Sequence, residues 1–422
     1  MRKAKKLTAA ALAALMLTSC GSSFETFEHT QTVNLSFSWW GKDVRHSYTT
    51  DAIKVFEGQN DGVKIYPKYA EWAGFKDRMD TKISAGSEAD VMQMNYNWLY
   101  EYTGKGYEFY DLETLGDTIK LSNFDSDVLD YGRIDGKLMG IPISMNMQTV
   151  YFNKTLLDKY SLSVPQTWED YFKAAEALKK DGLYVLRMSK SSVWHFCIAY
   201  AEQKVGKRLL DEKGNIGFDE KDMQVLFDFY ISMLEKGVTI PIDDRDRKDF
   251  EDSKAAGTVM WISDAQYYVA PCRDKGNIII VADYPKAEHA GIYGWYTKPT
   301  SLYCISRDTQ YPEQSARLVD FLLSSEEMAK LRGLENGVPV SKSTLEVLDA
   351  NDMIDGIQLD ADNMRKKHSD SIKLLSPFTE TAAFIETFNT QAMLIWSGET
   401  DSQSAAHELY TVMTKTINEI IQ

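Results

Sequence analysis

Apolar positions in the first third of the chain switch repeatedly between two spacings. Residues 33–39 alternate with period two, as a strand with one buried face does, and residues 47–57 bring Ala52, Ile53 and Phe56 to one side of a helix. Alternation returns at 63–69. Phe75, Met79 and Ile83 then mark a second helix, residues 89–94 a third strand, and Trp98 the start of another helix. Strand and helix repeating at this interval predict an α/β architecture with a parallel sheet wound right-handedly. Ligands of such sheets lie beyond the carboxyl ends of the strands. That rule singles out the loops at 39–45, 71–72 and 95–98.

The pattern then changes at residues 136–157. A turn at Asp135-Gly136 leads into Ile141-Pro142-Ile143, where proline fixes φ and keeps the preceding residue extended, and a strand running into a helix follows. This is how a chain leaves one lobe and enters another, so the expectation is two lobes with this segment on the floor of a cleft. Beyond it, Thr167 and Asp170 are spaced as a helix N-cap and its partner. Asp181-Gly182 ends that helix, 184–188 reads as a strand, 192–200 and 219–234 as helices, and 250–261 as the approach to a short strand ending at Trp261. Residues 278–281 strand back towards the first lobe, 294–299 form a loop, 301–306 a strand and 312–323 a helix. The remainder reads as helices with a polar linker around 349–370. The expected borders are 33–142 with 282–324 for the first lobe and 143–281 with 325–422 for the second, the last crossing falling at Ser324-Ser325.

A length of 422 residues favours two domains. Charge narrows the function: 47 basic against 62 acidic side chains give a net charge of −15. The balance is more negative still without residues 1–19, which hold Arg2, Lys3, Lys5 and Lys6 and no acid. Such a surface repels nucleic acid and anionic lipid. Residues 1–19 stand apart from the fold: a basic start, an apolar run at 7–17 too short to span a bilayer comfortably, and Leu17-Thr-Ser-Cys20. That ending resembles a bacterial lipobox, in which Cys20 is lipidated and becomes the first mature residue, with 20–32 as a flexible tether and the protein anchored outside the cytoplasmic membrane. Cys197, Cys272 and Cys304 read as buried free thiols, with at most one incidental pair, and no Cys/His set has zinc spacing. Neither a metal nor a cofactor is expected.

Several short pieces, taken in order, resemble the family 1 extracellular solute-binding proteins of ATP-driven importers, the class that contains maltose-binding protein. They are Trp39-Trp40-Gly41 with Arg45, residues 89–93 with Trp98, Gly140-Ile-Pro-Ile143 with Tyr151-Phe-Asn153-Lys154, and Pro165-Gln-Thr-Trp168. Lys298-Pro299 before Ile305-Ser306 and Gly337-Val-Pro-Val-Ser341 complete the set. The Gly-Lys pair often found before the strand that ends here at Trp261 is Ser253-Lys254. The resemblance implies a two-lobed periplasmic-binding-protein-like fold with three hinge crossings, a ligand usually of carbohydrate type, permease subunits as partners, a monomer, and no catalysis.

A sugar presents apolar C–H faces and a rim of hydroxyls, so its cleft needs flat aromatic platforms beside side chains that both donate and accept. With nine Trp and 23 Tyr the chain is generously supplied. Trp40, Trp72, Trp98, Trp194, Trp261 and Trp295 are the candidate platforms, whereas Trp168 and Trp396 are assigned to packing. Asp43 and Arg45 can engage vicinal hydroxyls or form a local ion pair. Asn95 and Asn146 can bind a ligand or serve their turns, and Asp264 can bind or cap the following helix. Trp295, between Gly294 and Lys298-Pro299, is expected on a wet surface or against the ligand rather than in the core. Two other classes share these features: a glycoside hydrolase using carboxylates such as Asp43 and Asp264, and a binder of a non-sugar solute such as a peptide.

Overall fold

The computed structural model describes residues 32–246 and 248–421; the expected signal segment and Cys20 lie outside the described residues. The chain begins with β1 (Val33–Trp40), α1 (Asp43–Gln59), β2 (Val63–Ala70), α2 (Phe75–Ser84), β3 (Val91–Met94), α3 (Tyr96–Gly104) and α4 (Ser126–Asp130). Short strands β4 (Arg133–Ile134), β5 (Lys137–Leu138) and β6 (Ile141–Pro142) follow. Then come β7 (Met145–Asn153), α5 (Lys154–Lys159), α6 (Trp168–Leu178), β8 (Tyr184–Met188), α7 (Lys190–Val205), α8 (Glu220–Lys236), β9 (Ala255–Trp261), α9 (Ala265–Asp274), β10 (Ile279–Val281) and β11 (Tyr296–Pro299). The last stretch holds β12 (Leu302–Ile305), α10 (Pro312–Ser324), α11 (Glu326–Arg332), α12 (Lys342–Ala350), α13 (Ile357–Lys367), β13 (Lys373–Leu374), α14 (Ala382–Ser397) and α15 (Ser402–Ile421).

Two sheets organise two lobes. The first is five-stranded in the order β2-β1-β3-β12-β6, and the second runs β13-β11-β7-β9-β8 with β10 also on β7. β1 pairs in parallel with both β2 and β3, as the alternating spacings predict, and it turns Leu35, Phe37 and Trp39 inward. β7 is buried at every position, flanked by β10 and β11 on one edge and β9 on the other. The Thr167 cap is present as a reciprocal pair with Asp170.

Two expected borders need correction. Residues 282–299 belong with the second lobe, because β11 pairs antiparallel with β7, and the return to the first sheet falls between β11 and β12, at Thr300-Ser301. Ser324-Ser325 is likewise no crossing. α11 packs against α1, α12 against α10 and α11, and Thr344 Oγ1 donates to Leu323 O while Lys342 pairs with Asp125. The chain re-enters the second lobe only between α12 and α13, which packs on α9 and β10.

Candidate functional site

The carboxyl ends of β1, β2 and β3 bring Trp40, Trp72 and Trp98 into one cluster. Trp72 stacks on Trp98 with centroids 5.0 Å apart and planes at 13°. Trp40 meets both obliquely, at 5.2 and 5.3 Å, and rests on Phe75. Trp40 and Trp98 are buried, whereas Trp72 is 51% exposed. Leu374, on β13 of the other lobe, packs against the larger apolar cluster that includes Trp40 and Trp98, so that cluster reaches the seam between the lobes. Asn95 precedes α3 without capping it through its side chain. Its Oδ1 is buried with no hydrogen-bond partner among the described residues.

Arg45 does not pair with Asp43, which lies exposed in the first turn of α1, where its charge suits the helix N-terminus. The guanidinium instead grips Glu335, Nε to Oε2 and Nη2 to Oε1, both at 3.1 Å. Tyr48 and Tyr267 each donate a phenolic hydrogen to the same carboxylate at 2.6 Å. Burial works against the charge on Glu335, but Arg45 and these donors hold its carboxyl below the ordinary range. Lys42 Nζ sits 4.4 Å from the ring centroid of Tyr267. Asp264 lies beside this group, at the start of α9 but without capping it. Burial pushes its carboxyl up, against the pull of Arg45 and Lys42.

The second-lobe wall is one face of its sheet. Pairing sets Lys298 opposite Asn146 and Gln148 opposite Trp261, and residues two apart on β7 share a face. Lys298 Nζ lies 4.5 Å from the Trp261 ring centroid and is held by Glu380. His195, from α7, meets Trp261 edge-on at 5.3 Å and 77°. Asn146 is largely used inside the protein: Nδ2 donates to Ser263 Oγ at 3.0 Å, and Oδ1 accepts from the backbone of Met147 and Ser263.

Two proposed platforms are core residues. Trp295 is 3% exposed, wedged between Phe196 and Tyr284, and its indole N–H donates to Pro285 O. Trp194 is fully buried against Phe388 and donates to Thr379 O. Helix α7 is almost entirely enclosed by the second lobe, so an indole in its second turn points into the core. Sequence reasoning missed Tyr48, Gln148, His195, Tyr267, Lys298, Glu335 and Glu380; their partners lie too far away in sequence for spacing to reveal them. Cys197, Cys272 and Cys304 are buried free thiols. Among the described residues no group of three or more His, Cys, Asp or Glu side chains is arranged to hold a metal ion.

Comparison with known proteins identifies the family and the fold. A family model described as bacterial extracellular solute-binding protein matches residues 51–356. A maltooligosaccharide ABC transporter solute-binding lipoprotein of Streptococcus pneumoniae is 22% identical over 99% of this chain and 98% of its own. Among solved structures, a periplasmic solute-binding protein of Pectobacterium atrosepticum superposes with a TM-score of 0.87 at 26% identity, over 92% of this chain and all of its own. A periplasmic oligogalacturonide-binding protein of Yersinia enterocolitica, in complex with saturated digalacturonic acid, gives a TM-score of 0.86 at 27% identity with the same coverage.

Proposed function

The chain belongs to the bacterial extracellular solute-binding proteins, and from that premise we propose that it captures an oligosaccharide between its lobes and delivers it to the permease of an ATP-driven importer. The observation that carries this reading is the cluster of Trp40, Trp72 and Trp98 at the carboxyl ends of the first-lobe strands, together with Trp261 and Lys298 on the second-lobe sheet. Indole faces match the C–H faces of a pyranose, and the amides, phenols and charged groups around them match its hydroxyls. Relatives that bind maltooligosaccharide or oligogalacturonide support the substrate class. Of the sequence candidates, the reading assigns Trp40, Trp72, Trp98, Asn95, Arg45, Trp261 and Asp264 to the ligand, and leaves out Asp43, which lies exposed in the first turn of α1. The reading includes no catalytic step.

A panel of mono-, di- and oligosaccharides in a thermal-shift assay tests it. At a hundredfold excess over Kd a ligand adds about 2.7 kcal/mol, enough for a shift of several degrees. A stabilising saccharide recovered intact is the expected result; turnover of the glycan, or stabilisation by peptides alone, overturns it. The same reading makes Cys20 the site of a lipid anchor that holds a monomer at the outer face of the membrane. Among the described residues no helix is long and apolar enough to cross a membrane. With lipid on Cys20 as the anchor, Cys20→Ala is expected to move the protein from the membrane fraction to the soluble fraction. Retention in the membrane fraction would show another mode of attachment.

A further inference from the structure

The second-lobe wall carries two side chains whose chemistry the protein leaves incomplete. Gln148 is 3% exposed, and both its Oε1 and its Nε2 are buried without a hydrogen-bond partner among the described residues. His195 is 8% exposed, and its Nε2 is buried without a partner in the same way. Both adjoin one ring: Gln148 lies opposite Trp261 in the β7–β9 register, and the imidazole meets that indole edge-on. An unpaired buried amide or imidazole is costly, and folded proteins seldom carry such groups without a use. Asn146, two residues before Gln148 and on the same face, has its amide oxygen fully occupied and a hydrogen bond from its nitrogen.

Resting on the saccharide reading, we propose that Gln148 and His195 form a specificity subsite that reads adjacent hydroxyls of a sugar ring seated on Trp261, and that it takes a neutral ring in preference to one presenting a carboxylate. The imidazole decides the polarity. His195 Nδ1 lies 2.8 Å from the carbonyl oxygen of Ser191. A carbonyl only accepts, so Nδ1 carries the proton and Nε2 keeps a lone pair. The subsite therefore needs a donor at Nε2, which a hydroxyl supplies and a carboxylate does not. Gln148 adds one acceptor and a donating amide, the pairing that a hydroxyl with its own O–H and lone pairs completes. Charge points the same way. Lys298, the cation over Trp261, is held by Glu380, so a carboxylate entering here would be desolvated beside an already neutralised cation. Burial keeps His195 neutral, assisted by Lys298 and opposed by Glu380 and the Ser191 carbonyl.

Calorimetric titration of the full chain with maltotriose, cellotriose, mannotriose, galactotriose and digalacturonate, beside Gln148→Leu and His195→Phe, tests the proposal. Gln148→Met and His195→Gln serve as variants of gentler shape. The wild type is expected to bind a neutral trisaccharide better than digalacturonate. Each apolar variant is expected to weaken that ligand about tenfold to a hundredfold, with the ligand-free Tm unchanged or raised because an unpaired buried group has gone. His195→Gln, which retains an acceptor, should recover part of the loss. Affinity should also fall on the acidic side once His195 takes up its second proton, and this pH limb should be absent from His195→Phe. Variants that bind like the wild type, variants that lose Tm while keeping affinity, or a wild type that prefers digalacturonate would each overturn the subsite while leaving the saccharide reading intact. A wild type that binds none of these sugars while binding peptides would overturn both.

Discussion

Trp295 shows how the backbone beside one residue decides what its side chain does. Gly294 adopts φ +72°, and a Cβ there would stand 2.6 Å from the carbonyl oxygen of Ala199; only glycine lets the loop press this closely onto α7. That approach carries the indole inward to Phe196, Tyr284 and the Pro285 carbonyl. The glycine was legible in the sequence, as was the tight turn it permits, but not the surface the turn presses against. Truncating a buried Trp costs about 3–5 kcal/mol, so Trp295→Ala is expected to lower the urea midpoint strongly while leaving saccharide affinity, where the variant is folded, close to that of the wild type. A stable variant with lost affinity would return Trp295 to the ligand. Trp72, half exposed and stacked on Trp98, presents the opposite case of an indole kept at the surface by an aromatic neighbour.

At the scale of elements, two of the three crossings between the lobes meet at one serine. Ser144, just beyond β6, hydrogen-bonds through Oγ to Asn336 O and to Thr300 Oγ1, and its own carbonyl accepts from Thr300 N. Ser144 also bridges to Pro339, so the segment before α12 and the β11–β12 crossing are both stitched to the β6–β7 crossing. Ser144→Ala removes a fully buried hydroxyl and leaves the Asn336 carbonyl without that donor, a loss of about 1–3 kcal/mol. Scanning calorimetry is expected to show Tm lower by a few degrees; an unchanged Tm would mean the backbone contacts suffice. The first crossing was readable because Pro142 constrains the chain locally. The other borders were not, for a physical reason: the apolar run of β10 announces a strand but not its partner, and amphipathic α11 and α12 announce a buried face but not the lobe that buries it. The site divides in the same way. The loops bearing Trp40, Trp72 and Trp98 follow from a local rule about parallel strands, whereas Arg45 and Glu335 stand 290 residues apart and nothing local connects them.

For the molecule as a whole, Glu335 is where the lobes are tied. It takes Arg45 and Tyr48 from α1 in the first lobe and Tyr267 from α9 in the second. Lys42 lies over the ring of that same tyrosine. A two-lobed binder closes around its ligand only as far as the closed state is favoured, and its apparent affinity scales with the fraction of molecules able to close. Arg45, Tyr48 and Glu335 all belong to the first lobe, so the phenolic hydrogen of Tyr267 is the bond at this carboxylate that spans the two lobes. A hydrogen bond to a charged group is worth about 1.5–3 kcal/mol, so losing it shifts the open–closed balance roughly tenfold or more. Tyr267→Phe keeps the ring beneath Lys42 and removes only that hydrogen. We expect the variant to have a larger ligand-free radius of gyration by small-angle scattering and a correspondingly weaker apparent affinity for saccharide. Its Tm should stay close to that of the wild type, since Glu335 remains paired. Saturating ligand should restore the compact form, because a ligand bridging both walls supplies the closing energy that the phenol no longer gives. Identical scattering curves and affinities for the two proteins would show that closure runs through other contacts, with Leu374 against the first-lobe apolar cluster the next to be tested.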